Sequence, residues 1–182
     1  PLRRQRQMCI RDSPTPTHLV HLPALRVVNT RFKNFDEDRF ERDMSVQIRS
    51  AVKLCKTFLP AMAKARQGRV LFMLTSYLLG APPKNTAAYV MVKSTLQGLA
   101  KSLAADYASF GVTVNCVMPS MMETKFLADT SDLIVQASAE ANPMKRNARV
   151  EDVVPAMAFL LSEEAGFITG VTLPVTGGSA FL

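Results

Sequence analysis

The spacing of apolar residues alternates along the chain between a pattern typical of strands and one typical of helices. Continuous apolar runs at residues 17–22, 69–75, 112–117 and 171–175 have the length and composition of buried strands. Helical spacing follows the first run, over residues 36–66, and begins with an acidic first turn. Strands that alternate with helices through short turns predict a parallel α/β sheet with helices on both faces.

The remaining helices are predicted from the same spacing. One spans about residues 86–109 and ends before Gly111, and another spans residues 150–162. Residues 121–139 are predicted to be helical or irregular. With 182 residues, of which 48% are apolar, the chain is long enough for one domain with its own core.

Charge and cysteine content exclude several classes of protein. The net charge is +7, but residues 1–13 contribute +3 of it, and the remaining 7 − 3 = +4 is spread without a basic block, so no nucleic-acid partner is predicted. Cys9, Cys55 and Cys116 form no C-x-x-C pair, which argues against a disulfide framework or zinc site and favours the cytoplasm. No apolar run reaches about 18 residues, so no membrane span is predicted.

The two histidines predict no metal site. His18 and His21 lie three residues apart on the first predicted strand, so their side chains should point to opposite faces of the sheet. A shared metal ion would need both on one face. Packed or loop histidines are the favoured interpretation, and no metal is expected.

The first residues of the chain are basic, and the apolar run of a signal peptide does not follow them. Residues 8–13 read MCIRDS, which is also the translation of a common sequencing-library adapter. We hypothesise that residues 1–13 are not natural coding sequence and that the natural chain begins further upstream. A natural, basic, disordered tail is the alternative. We expect residues 1–16 to be a non-native or disordered head and residues 17–182 to form the domain.

Ser76, Tyr89 and Lys93 carry the candidate chemistry. Ser76 lies at the end of a predicted central strand, and ligands of open α/β sheets bind beyond the carboxyl ends of the strands. Tyr89 and Lys93 are four residues apart on the next predicted helix, so they leave the same face. The Tyr-x-x-x-Lys spacing alone is also typical of an ordinary surface pair, and Ser76 is what favours a site.

These three residue types suit proton exchange with a carbonyl or alcohol oxygen. An ammonium one helical turn away is expected to lower the pKa of the Tyr89 phenol, which would make Tyr89 an effective acid or base. Ser76 would hold the same oxygen by a hydrogen bond that strengthens as charge develops. Neither residue can supply a hydride, so reduction requires a cofactor.

Several flanking segments accompany these residues: VTVNCVMPS followed by METKF, then PMKRNARVEDVVPAMAFLLS, and finally GFITGVTLPVTGG. With them the chain resembles the short-chain dehydrogenase/reductases, closest to the 3-oxoacyl-(acyl carrier protein) reductase type, from about His18 to Gly178. The resemblance implies the C-terminal part of a Rossmann-type, doubly wound parallel sheet. It also implies NAD(P)-dependent reduction of a ketone, as a 3-oxoacyl thioester or another small molecule, to a secondary alcohol.

The resemblance assigns roles to the reacting residues. Tyr89 is implied to be the general acid, with Ser76 as its partner at the substrate carbonyl. Lys93 is implied to lower the pKa of the phenol and to bind the nicotinamide ribose. The active-site asparagine of the family falls at Gln47, which keeps an amide but is longer by one methylene, so a proton-relay water is expected to be displaced.

The loop after the sixth strand of the family is implied to bind the cofactor. Pro119, Ser120 and Thr124 would lie along the nicotinamide, with Thr124 near its carboxamide or the diphosphate. Ser120 stands where the family usually has glycine, and His21-Leu22-Pro23-Ala24 stands in place of Asn-Asn-Ala-Gly. Met121 and Met122 follow in the region of a substrate lid, where they are candidates to line an apolar pocket.

The glycine-rich turn that cradles the dinucleotide pyrophosphate belongs to the first two βαβ units, and nothing in residues 1–17 resembles it. We therefore expect that the first βαβ units are missing, that NAD and NADP are not distinguished, and that the chain alone binds cofactor poorly. Because family members pair through two long helices, a homo-oligomer is expected. A non-catalytic oligomerisation or binding module is the alternative to an enzyme.

Overall fold

The structure is a computed structural model, and it describes residues 16–181. The strands in this range are β1 (His18–His21), β2 (Gly68–Met73), β3 (Val112–Pro119) and β4 (Thr172–Val175). The α-helices are α1 (Glu37–Met44), α2 (Ser50–Ala65), α3 (Ala87–Tyr107), α4 (Asp132–Ala141) and α5 (Val150–Leu161). The hypothesis about residues 1–13 lies outside the described residues and stays a prediction.

The four strands form one parallel sheet in the order β1-β2-β3-β4. Val70 of β2 lies opposite Val114 of β3, and Cys116 of β3 lies opposite Thr172 of β4. The predicted parallel α/β sheet is confirmed. Because the strands are parallel, their carboxyl ends meet at one edge of the sheet, where open α/β folds bind ligands.

Strand β2 is buried on both faces, as its continuous apolar run predicts. Val70 and Phe72 pack with residues of α2 and α3 on one side of the sheet. Leu71 packs with residues of α5 on the other side. This alternation is the two-residue period of a strand, and it places helices on both faces of the sheet.

The helical segment predicted over residues 36–66 is interrupted once. Asp36 caps α1 by accepting a hydrogen bond from the backbone N–H of Arg39, and a π-helical turn at Ser45–Arg49 connects α1 to α2. A π turn inserts one residue per turn and rotates the side chains that follow it. This turn buries Gln47 completely. The helical geometry therefore changes at residues 45–49.

The longest helix, α3, ends at a tight contact with the end of α2. Gly111 follows α3 with φ of 72°, and a Cβ atom there would lie 2.4 Å from the carbonyl oxygen of Arg66, the C-cap of α2. The Arg66 guanidinium donates a hydrogen bond to the carbonyl oxygen of Ser109 across 3.0 Å.

Among residues 16–181, no helix has the length and apolar content needed to cross a membrane.

Candidate active site

The chain leaves β2 at Met73 and reaches the carboxyl edge of the sheet at Thr75. Thr75 is buried and begins the 3₁₀ turn Ser76–Leu78, with its hydroxyl accepting a hydrogen bond from the backbone N–H of Tyr77 across 3.3 Å. Thr75 and Tyr77 both line a cavity at this edge. Ser76 lies between them, is half-buried and is not among the residues that line the cavity.

Tyr89 and Lys93 project from the first turns of α3 into the same cavity. The Lys93 ammonium nitrogen lies 5.8 Å from the centre of the Tyr89 ring. This confirms that the two side chains leave one face of the helix. Tyr77 packs edge-on against Tyr89, with ring centres 5.9 Å apart, so Tyr89 is held on two sides.

The Thr75 hydroxyl affects the pKa of the Tyr89 phenol. Burial raises the pKa of Tyr89, and the Thr75 hydroxyl acts in the opposite direction. The Thr75 oxygen accepts from the Tyr77 N–H, and its one proton can be donated either to the Tyr89 oxygen or to an oxygen in the cavity. Sequence analysis missed Thr75, although it is the first polar residue after the apolar run at 70–74, and that position was the available signal.

Burial dominates the electrostatics of the site. It raises the pKa of Tyr89 to about 12, and the opposing effect of the Thr75 hydroxyl does not cancel it. The expectation that Lys93 lowers this pKa stays a prediction, and burial acts in the opposite direction. Lys93 is itself 2% exposed, and burial lowers its pKa to about 8. Its ammonium donates to the carbonyl oxygen of Met73 across 2.9 Å.

Gln47 is not among the residues that line this cavity. Its amide nitrogen donates to a carboxylate oxygen of Asp43 across 2.6 Å, and its own oxygen is buried without a hydrogen-bond partner. The amide is thus committed to Asp43. The relay role that the family resemblance implies for Gln47 stays a prediction.

The loop after β3 brings the predicted cofactor residues to the cavity. Pro119, Ser120 and Thr124 line it together with Tyr89 and Lys93. The Ser120 hydroxyl is buried without a hydrogen-bond partner, and the Thr124 hydroxyl caps the turn Lys125–Leu127. The unpaired Ser120 hydroxyl and the remaining N–H donors of the Lys93 ammonium fit the amide and ribose oxygens of a nicotinamide nucleoside.

The rest of the cavity is apolar, and its volume is about 170 Å³. Its apolar lining comes from the segment after β1 and from the loop after β3: Leu22, Ala24, Val27, Met121, Met122, Phe126 and Leu127. Met121 and Met122 therefore lie in the wall of the cavity, as residues that line an apolar pocket must. A flat or linear apolar group would be buried by this wall.

The two histidines of β1 have separate environments. His18 is exposed and contacts the carbonyl oxygen of Leu161, while His21 is buried and bonded to the Ser50 hydroxyl across 2.8 Å. They point to opposite faces, as predicted. Within the range 16–181, no group of three or more His, Cys, Asp or Glu side chains is arranged to hold a metal ion.

Comparison with known proteins agrees with this arrangement. The sequence model of the family described as enoyl-(acyl carrier protein) reductase matches residues 16–180. The chain belongs to the short-chain dehydrogenase/reductase family. Among curated relatives, the 3-oxoacyl-(acyl-carrier-protein) reductase FabG of Buchnera aphidicola is 35% identical over 145 residues, which is 80% of this chain. The match spans 59% of that relative's length.

Solved structures of this dehydrogenase/reductase fold superpose closely on the chain. A 3-oxoacyl-(acyl-carrier protein) reductase with bound NAD from Brucella melitensis matches with a TM-score of 0.82 and 22% identity, over 91% of this chain and 62% of that one. A gluconate 5-dehydrogenase from Burkholderia cenocepacia, in complex with NADP and tartrate, matches with a TM-score of 0.88 and 21% identity, over 98% and 70%. These likenesses support a partial Rossmann-type fold.

Proposed function

We propose that the chain is the catalytic part of an NAD(P)-dependent oxidoreductase that reduces a ketone to a secondary alcohol, with Tyr89 as the general acid. The observation that carries the proposal is the position of Tyr89, which lines one cavity with Thr75 and Lys93 at the carboxyl edge of the sheet. Family membership and the reductase relatives support the same reaction class.

Tyr89 would donate its proton to the carbonyl oxygen of the substrate. Its pKa of about 12 keeps the phenol protonated at neutral pH, which an acid requires before it reacts. Thr75 would donate a hydrogen bond to the same oxygen and favour the charge that develops on it. We thus propose Thr75 for the role that sequence analysis gave to Ser76.

Lys93 would stabilise the phenolate that Tyr89 leaves behind. With a pKa of about 8, Lys93 is mostly charged at pH 7, and its bond to the Met73 carbonyl oxygen holds the ammonium 5.8 Å from the centre of the Tyr89 ring. An opposite charge within about 6 Å favours an ionised group, and this effect appears only once the phenol loses its proton. The interaction is therefore stronger in the product of proton transfer than in the reactant.

The nicotinamide end of the cofactor would be held by Tyr89, Lys93, Pro119, Ser120 and Thr124, as the resemblance implies. The cofactor supplies a hydride to the carbonyl carbon when it is bound. The proposal covers both NAD and NADP. The solved structure with NAD and the solved structure with NADP both resemble the fold of this chain. The Ser120 hydroxyl, which stands where the family usually has glycine, is available to a cofactor amide or ribose oxygen.

A 3-oxoacyl thioester is the proposed substrate class. The relative from Buchnera aphidicola is named for such a substrate, and the apolar wall that includes Met121, Met122 and Phe126 would accommodate the acyl chain. No charged side chain other than Lys93 lines the cavity within residues 16–181, so an uncharged reacting end is favoured. Other small ketones with an apolar substituent share this chemistry.

A homo-oligomer formed through α2 and α3 is the proposed assembly. Val52 of α2 and Met91 of α3 are large apolar side chains that are 38% and 45% exposed. The same surface favours a second candidate function, a non-catalytic oligomerisation or binding module. The buried free thiols of Cys55 and Cys116 fit the proposed cytoplasmic location.

The test of the proposed reaction is reduction of a 3-oxoacyl thioester with NADH and NADPH in turn. We expect the chain alone to turn over slowly, because it spans 59% of its relative's length. Joining the N-terminal segment of that relative before residue 17 should raise the rate. Absence of reduction by the joined protein would favour the non-catalytic module, and a rate that Tyr89→Phe leaves unchanged would contradict the role of Tyr89 as the general acid.

A further inference from the structure

The carbonyl group at the end of β2 points towards β1. The backbone N–H of Arg69 donates to the carbonyl oxygen of Thr17, just before β1, across 2.9 Å, so the backbone groups of Arg69 face β1. Backbone groups alternate in direction along a strand, so those of Met73, four residues further on, also face β1. The N–H of Leu74 faces the other way and donates to the Val117 carbonyl oxygen of β3.

The strand register identifies the residue that would ordinarily donate to the Met73 carbonyl oxygen. The last pair between β1 and β2 is His21 with Phe72. Continued by one residue, the register sets Met73 opposite Leu22. In a parallel pair, a carbonyl oxygen that faces its partner strand accepts from the N–H one residue beyond its opposite position. The donor would therefore be residue 23, which is proline and has no N–H.

The acceptor that Pro23 leaves free is the one that Lys93 uses. The Lys93 ammonium donates to the Met73 carbonyl oxygen across 2.9 Å, and it reaches this oxygen from α3 and not from the sheet. Both neighbours of Pro23 line the active-site cavity, and so do Met73 and Lys93. The proline segment and the bond between Lys93 and Met73 thus lie at one place in the fold.

We propose that Pro23 is a positioning residue for Lys93, because its missing N–H leaves the Met73 carbonyl oxygen to the ammonium. A lysine side chain is flexible and carries three equivalent donors, so a fixed acceptor decides where its charge lies. This acceptor holds the ammonium 5.8 Å from the centre of the Tyr89 ring. The use of that charge in reduction rests on the proposed function, whereas the choice of donor to Met73 does not.

Pro23→Ala supplies the missing donor. Pro23 is exposed, and alanine is the residue that the family sequence Asn-Asn-Ala-Gly has at this position, so the chain should fold with it. We expect the new N–H to bond to the Met73 carbonyl oxygen and to exchange with solvent at least about tenfold more slowly than an unpaired amide. Lys93 then loses an acceptor that favours its charged form, so its acid dissociation constant should rise at least about threefold.

Both effects are measured by NMR in the full chain. Hydrogen exchange reports on the amide at position 23, and carbon-13 at the lysine ε position reports the titration of Lys93, whose signal is assigned by its loss in Lys93→Met. Pro82→Ala is the matched control, because Pro82 is an exposed proline in the loop before α3, outside the sheet. The ionisable groups that interact with Lys93 or line its cavity are common to the compared chains, so their contributions cancel: His21, Asp43, Tyr77, Tyr89 and Cys116.

A protected amide together with a shifted Lys93 titration, both confined to the variants at position 23, would support the proposal. A protected amide with an unchanged titration would overturn it, because the Met73 carbonyl oxygen would then accept from both donors. An unprotected amide would also overturn it, since residue 23 would not continue the strand register, and so would an equal shift in Pro82→Ala. Pro23→Val, which also restores the N–H, replaces Pro23→Ala if the latter does not fold.

The same measurements separate this inference from the proposed function. A shifted Lys93 titration without measurable reduction by the joined protein would retain the positioning role of Pro23 and count against the proposed function. Reduction that Tyr89→Phe abolishes, together with an unshifted titration in Pro23→Ala, would do the reverse.

Discussion

The ammonium of Lys93 donates a 2.9 Å hydrogen bond to the backbone carbonyl oxygen of Met73, the last residue of β2. This bond joins the first turns of α3 to the end of a central strand. Lys93 is buried there, and its pKa is lowered from 10.5 to about 8 because the charged form is removed from water. The fold thus holds a destabilised charge at the position where the proposed reaction needs one.

The stability of the chain should depend on this charge in a predictable direction. The unfolded chain binds a proton at Lys93 up to pH 10.5, whereas the folded chain releases it near pH 8, so folding is favoured as the pH rises between these values. Relative to Lys93→Met, we expect the unfolding free energy of the wild type to rise by on the order of 3 kcal/mol from pH 7 to pH 10.5.

Urea denaturation of both proteins at several pH values measures this difference. Tyrosine and cysteine residues that titrate in the same range are common to both chains, so their contribution cancels in the comparison. A difference that does not change with pH would show that Lys93 keeps its ordinary pKa in the folded chain.

The same pKa should appear in the pH profile of the proposed reaction. Tyr89, with a pKa of about 12, keeps its proton throughout the physiological range. Lys93 loses its charge above about pH 8, and the phenolate then lacks its stabilising partner. We expect kcat/KM for ketone reduction to fall above about pH 8. A plateau that extends beyond pH 10 would contradict this role of Lys93.

Thr75 and Ser76 give a direct test of which hydroxyl works with Tyr89. Thr75→Val keeps the shape of the side chain and removes the hydroxyl that faces the cavity, so we expect reduction to slow by roughly 10²-fold. Ser76→Ala should change the rate by less than about threefold, because Ser76 does not line the cavity. Thr75→Ser is the rescue control. A larger loss in Ser76→Ala than in Thr75→Val would restore the assignment made from sequence.

Two glycines of the α3 region make a matched pair for stability. Gly111→Ala should destabilise the chain by about 1–3 kcal/mol, because φ is 72° there and the new Cβ would lie 2.4 Å from the Arg66 carbonyl oxygen. Gly98→Ala, within α3 and with no atom within 4 Å of its new Cβ, should stabilise it by about 0.5–1 kcal/mol. Equal effects by thermal denaturation would mean that the two helix ends do not meet as described.

The sequence predicted the parts of this site that depend on local spacing. The pair Tyr89 and Lys93 shares a face because four residues make about one helical turn, and the parallel sheet follows from alternating strand and helix patterns. Thr75 was missed because the residue at which β2 stops pairing is determined by the adjacent strand β3. The N–H of Leu74 still bonds to the Val117 carbonyl oxygen, so Thr75 is the first residue beyond the paired backbone.

Burial was harder to predict than position. Asp43 is an acidic residue in a charged helix, and its sequence context is typical of a solvated surface. The π-helical turn places it and Gln47 inside, which depends on packing against α3 and not on local propensity. The burial that raises the pKa of Tyr89 was not predicted for the same reason, because desolvation is a property of the assembled fold.

The measurement that tests the central claim most directly is NAD(P)H-dependent reduction of a 3-oxoacyl thioester by residues 17–182 joined to the N-terminal segment of the Buchnera aphidicola relative. We predict measurable reduction that Tyr89→Phe lowers by about 10²-fold or more. Tyr107→Phe, at the far end of α3, should leave it unchanged. Equal rates for the wild type and Tyr89→Phe would contradict the assignment of Tyr89 as the general acid.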